Sequence, residues 1–125
     1  MKRILFTMSA LIAASACTAM AQDYPHSRHA NAECTIDVTR TRDGARFEAL
    51  ARSHAPTSGQ YEFILTKEDA DGSSDIVQGG AFDLSNGRES SLGSSELSLA
   101  RHGRYRATLV LFDADGELCR AERRS

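Results

Sequence analysis

Two cysteines, Cys34 and Cys119, stand near the two ends of what reads as the folded part of the chain. A catalytic or metal-binding thiol needs His or Cys neighbours at ligand spacing, and Cys119 has none. In an exported protein such a pair is expected to bond, closing a loop of about 85 residues, worth ~4 kcal/mol in the chain-entropy model. The alternative is two buried free thiols. His26-x-x-His29, with Cys34 beyond it, has the residue types of a metal clip, but no second ligand pair follows, so solvated histidines on a tail are the simpler reading. Two acidic segments, Asp69-x-Asp71-Gly72 and Asp113-x-Asp115-Gly116, could suggest calcium. An EF-hand loop has its Gly at position 6 and a Glu at 12. Here Gly falls at position 4, which suits a hairpin turn. No G-x-S-x-G elbow occurs, and His54 and His102 fall in expected loops without a Ser or Cys partner. No enzyme activity, cofactor or metal is expected.

The arginines are the remaining chemistry. Arg104 and Arg106 share one face of an alternating run, and Arg46 and Arg52 share one face of another. They could hold a polar or acidic partner through several donors each. They could equally be solvated strand surface, where mixed charge keeps edges from pairing.

Positioning these residues requires a folded unit, and composition bounds it. The chain has 125 residues, enough for one domain with one modest core. Lys2-Arg3, the apolar run from Ile4 to Ala16 and Ala19-Met20-Ala21 read as a cleaved signal peptide over residues 1–21. That implies export, in bacterial terms to the periplasm, with no membrane span. Ala14-Ser15-Ala16-Cys17 is a poor lipobox, since the third residue before the Cys is usually Leu. Beyond residue 21, 13 basic residues face 17 acidic ones, which disfavours nucleic acid as a partner. Residues 22–32 carry no periodicity and read as a flexible tail.

The domain is then expected over residues 33–122. From Arg104 the sequence alternates, with Tyr105, Ala107, Leu109 and Leu111 on one face. Gly103-x-Tyr105 has the form of a tyrosine corner, in which a hydroxyl at the start of strand F anchors the preceding loop. Asp115-Gly116 closes a hairpin to a last strand, followed by a charged end over 121–125. Earlier runs predict strands near 33–40, 45–52, 60–68, 74–82 and 89–99. Leu50 and Ile64 stand as apolar exceptions on otherwise polar outer faces. Gly79-Gly80 suggests a bulge or a kinked edge strand, and Gly93-Ser94-Ser95 an interruption. Seven short strands with turn signals between them and no helix argue for an all-β, immunoglobulin-like seven-stranded β-sandwich; a small barrel is the alternative.

The stretches Gly72–Phe82, Leu92–Leu97, Gly103–Ala107 and Asp113–Gly116, with Cys34-x-Ile36-x-Val38 and Glu48–Arg52, resemble the CsgH family of curli assembly chaperones. The run from Ser73 to Gly80, Ser-Ser-Asp-Ile-Val-Gln-Gly-Gly, is its most specific part. The resemblance implies a periplasmic, immunoglobulin-like protein that keeps curli-type amyloid subunits from polymerising before secretion; the contact is expected to be transient and the protein a monomer. The related CsgC branch carries a Cys-x-Cys pair; here Cys34-Thr35-Ile36 stands instead, so a redox role does not carry over. No family binding residues transfer. Arg104 and Arg106 are the expected client-binding face, with the Gln78-Gly79-Gly80 edge next and Tyr105 as a structural anchor. A non-catalytic accessory or adhesive module of the envelope is the rival function.

Overall fold

The computed structural model describes residues 32–85 and 87–125. The expected signal peptide over 1–21, with Cys17, and the part of the expected tail that holds His26 and His29 lie outside the described residues. Seven strands follow one another: β1 (Ala32–Arg40), β2 (Gly44–Ser53), β3 (Thr57–Asp69), β4 (Gly72–Leu84), β5 (Ser90–Ser98), β6 (Arg104–Asp113) and β7 (Gly116–Arg124). They form two antiparallel sheets, β1-β2-β5 and β4-β3-β6-β7, an immunoglobulin-like sandwich.

Alternation builds each layer. Phe63 and Leu65 from β3 and Ala107, Leu109 and Leu111 from β6 are fully buried, facing Ile36, Phe47 and Ala49 from the other sheet. The two acidic segments are hairpin turns of one design. Asp69 Oδ1 accepts from Asp71 N at 2.9 Å, and Asp113 Oδ1 accepts from Asp115 N at 2.8 Å. Each turn then needs a left-handed residue, met by Gly72 (φ 118°) and Gly116 (φ 128°). The first of these turns decides the topology. Its two central residues, Ala70 and Asp71, are too few to cross between sheets, so β4 lies beside β3. The chain returns to the β1-β2-β5 sheet only after β4, between Leu84 and Ser90.

Several expectations need correcting. The Gly79-Gly80 pair makes no bulge: β4 keeps register with β3 from Leu84 to Gly72. The bulges lie elsewhere. Leu92 is the extra residue opposite Ala49 and Leu50, and Leu118 the extra residue opposite Leu111 and Phe112. Each bulge lets a leucine reach the core without shifting the strand's other residues off their faces. β5 runs unbroken through Gly93-Ser94-Ser95. The charged end belongs to β7, which continues to Arg124 because Arg123 and Arg124 pair with Ala107 and Arg106. Leu50 is buried, though outside the main cluster.

Candidate functional site

The two open sides of the sandwich differ. On one, β1 and β7 are joined by the Cys34–Cys119 disulfide, with Cα atoms 5.8 Å apart. On the other, β4 and β5 are linked by a side-chain bond: Gln78 Nε2 donates to Ser94 O at 3.2 Å. Gln78 is half-buried and turned inward between the layers, not displayed. Gly80 and Gly93 lie beside the Tyr61 ring. A Cβ on Gly80 would stand 3.4 Å from Tyr61 Cε1, and one on Gly93 3.7 Å from its hydroxyl. The Tyr61 ring thus lies at van der Waals distance from both glycines.

The outer face of the four-stranded sheet is assembled by register. Ile64 lies beside Val77 and Thr108, and Glu62 beside Gly79 and Val110. Glu62 aside, they form with Gln60, Ala81 and Phe112 a central apolar and neutral band, in which Val77 is 66% exposed and Phe112 36%. Charge is separated across it. The β3–β4 half carries Glu62, Glu68, Asp75 and Asp83, all exposed. The β6–β7 half carries Arg104, Arg106, Arg120 and Arg124, with Glu117 and Glu122 among them.

Arg104 and Arg106 are both exposed and share this face, but they are not equivalent. Glu122 Oε1 accepts from Arg106 Nε at 3.3 Å and also binds Arg124. Its carboxyl is held below the usual carboxylate range by the Arg124 hydrogen bond first and by Arg106 after that. Among the described residues no ion pair involves Arg104, whose register neighbour on β3 is Glu68. The arginines and the β4 glycines sit at different places on the sheet, with β3 between them. The other pair of arginines lies in the other sheet. Arg52 there is spent on Glu33, with Nη2 2.6 Å from Oε2.

Tyr105 departs from the corner geometry. Its ring packs edge-on against Phe47, centroids 4.8 Å apart at 77°, and is half-buried. Among the described residues its hydroxyl makes no hydrogen bond. The loop before β6 is held by Asp69 instead, a residue that sequence reasoning assigned only to a turn. Its carboxylate accepts from Ala100 N at 3.0 Å and lies 3.5 Å from Lys67 Nζ; its side chain is fully enclosed. Lys67 Nζ donates to Ser98 O at 2.7 Å. The bond from Ala100 is the main reason the Asp69 carboxyl stays below its usual range. Gly103 N–H donates to Ala100 O at 2.9 Å, and His102 between them is left-handed, with φ 64°. The surface hollows beside this loop are lined mainly by polar and charged residues, Asp43 and Arg101 among them.

Three layers of observation define the class: a sheet of β1-β2-β5, a sheet of β4-β3-β6-β7, and a disulfide stapling β1 to β7. Comparison with known proteins places it more narrowly. No family model matches the chain, and no curated protein matches it. Solved structures with the same fold include CsgH of R. palustris, with a TM-score of 0.60 and 20% identity, covering 73% of this chain and 89% of that one. They also include the E. coli curli protein CsgC, with a TM-score of 0.58 and 14% identity, covering 74% of this chain and 96% of that one. The chain has a CsgC/CsgH-like fold.

Proposed function

We propose that this protein is a periplasmic chaperone that restrains premature amyloid polymerisation of curli-type subunits. The observation that carries this reading is the fold, shared along nearly the full length of CsgH and of the curli protein CsgC. The CsgH resemblance of the sequence gives the same direction. The chemistry of the surface is compatible with it. A chaperone that must release its client gains from charged and polar contacts, which speed encounter without deep burial. The basic half of the outer face, with Arg104 least committed, supplies such contacts to amide and carboxylate oxygens. The client is held transiently, by a monomer, without catalysis.

Thioflavin fluorescence of a purified curli-type subunit tests this. The oxidised protein, well below equimolar amounts, should lengthen the lag phase. Arg104→Glu with Arg106→Glu should shorten that delay, and rising salt should weaken the wild-type effect. A subunit that polymerises on the same time course with and without the wild-type protein refutes the chaperone reading. A folded double mutant as effective as wild type at every salt concentration removes the arginine face from it.

A further inference from the structure

The backbone of β4 is an open pairing edge, and the direction of its free groups follows from one hydrogen bond. Ser125 N donates to Tyr105 O, so the odd-numbered residues of β6 turn their N–H and C=O towards β7 and the even-numbered ones towards β3. Carried through the β6–β3 and β3–β4 registers, even residues of β4 bond to β3 and odd ones face out. Ser73, Asp75, Val77, Gly79, Ala81 and Asp83 therefore present six outward pairs of N–H and C=O groups. Among the described residues, no side chain and no backbone outside the β3 ladder bonds to them.

The other three edge strands, of 9 residues each, carry a tie or a partial cap. β1 and β7 are bound to each other by the disulfide. Along β5, the carbonyls of Ser94 and Ser98 are capped by Gln78 and Lys67. Of the usual protections β4 has only its acidic side chains: 13 residues long, it has no Pro, no Lys and no bulge. Gly79 removes side-chain bulk from its middle. Its charge selects among partners. Pairing two copies edge to edge would gather both sets of Asp75, Asp83, Glu62 and Glu68 on one sheet face, which opposes self-association.

We propose that β4 takes an additional strand from the client: an extended, uncharged or basic segment that pairs antiparallel or parallel along Ser73–Asp83 and has no acidic residue facing Asp75 or Asp83. Amyloid grows by adding strands to open edges, so a client strand lodged here is withdrawn from that growth. The identity of the strand's owner rests on the chaperone reading; the availability of the edge does not.

Backbone amide exchange of the isotope-labelled, oxidised protein tests this, with a synthetic peptide matching one amyloid-forming repeat of a curli-type subunit as the probe. The odd-numbered amides from Ser73 to Asp83 should slow about tenfold or more, while the even-numbered ones, already bonded to β3, stay as they were. Ala81→Pro removes one outward donor and leaves the β3 ladder intact, so it should weaken the peptide about tenfold. The wild-type measurement does not depend on that variant folding. A peptide that does not bind, or that shifts only the resonances around Arg104 and Arg106, overturns the edge. In the latter case the chaperone reading stands. Protected odd amides with no delay of polymerisation keep the edge and overturn the chaperone reading instead.

Discussion

Reducing the Cys34–Cys119 bond should cost the fold about 4.5 kcal/mol. The figure follows from the sequence separation of 85 residues, through the loop-closure entropy removed from the unfolded chain. Reduction keeps both sulfurs in place, so packing is nearly constant and the cross-link is isolated. A domain of this size is stable by about 5–15 kcal/mol in total, so the reduced protein should be marginal. The assay is urea unfolding with and without reductant, followed by circular dichroism. Two signatures are expected together: a fall of about 3–5 kcal/mol, and a steeper dependence on urea, because the reduced unfolded chain exposes more surface. Amide exchange should localise the damage. β1 has only β2 as a hydrogen-bonded neighbour, so its amides should open first once the tie to β7 is gone, while β3 and β6 keep their protection. A loss below about 1 kcal/mol with an unchanged slope would refute the reasoning, because the bond would then constrain nothing that the folded sheets do not already hold.

Tyr105→Phe should change stability by less than about 0.5 kcal/mol, since the hydroxyl has no partner to lose, whereas Tyr105→Ala should cost about 2 kcal/mol or more by stripping the ring from Phe47; denaturant titration separates the two. Gly44→Ala should destabilise by about 3 kcal/mol, because its Cβ would fall 1.8 Å from Leu97 O and push β2 away from β5; a melting temperature within a degree of wild type would contradict this. Gly93→Ala, by contrast, clashes only with the Gln78 amide oxygen, at 2.8 Å, and should cost about 1 kcal/mol or less as that side chain swings aside. Stability should fall as pH drops below the ordinary carboxylate range. The Ala100 bond holds the Asp69 carboxyl down, and Arg52 and Arg124 do the same for Glu33 and Glu122. The unfolded chain therefore takes up those protons first, and stability present at neutral pH is lost through the folded-state values. Asp69→Asn should flatten that loss in urea titrations at pH 7 and pH 3.

The strands were legible because a buried face repeats every second residue, and Phe63, Leu65, Leu109 and Leu111 keep that period without error. Where the period broke, sequence reading misplaced the cause. Gly79-Gly80 suggested a bulge or a kinked edge strand; β4 is an edge and has no bulge, and the residue across the ladder from Gly80 is Tyr61. The real bulges fall at Leu92 and Leu118, which look ordinary in sequence because a bulged leucine differs from a paired one only in its partner strand. The Tyr105 corner failed for a related reason: a hydroxyl's partner is a backbone position set by the loop, and Asp69 already holds that loop. The same limit applies to the surface. Alternation placed Arg104 and Arg106 on one exposed face, but not the Glu122 that engages Arg106 and leaves Arg104 unpaired among the described residues. The edge was legible in part, since Gly79-Gly80 suggested a kinked edge strand as well as a bulge, and strand order places β4 at the end of its sheet. Once β4 is seen to have one neighbour and Gln78 to face inward, the long, uncharged stretch from Ile76 to Ala81 acquires a different meaning. It is part of the longest edge of the sandwich, without Lys, Pro or bulge, and that is why an added client strand is the use proposed for it.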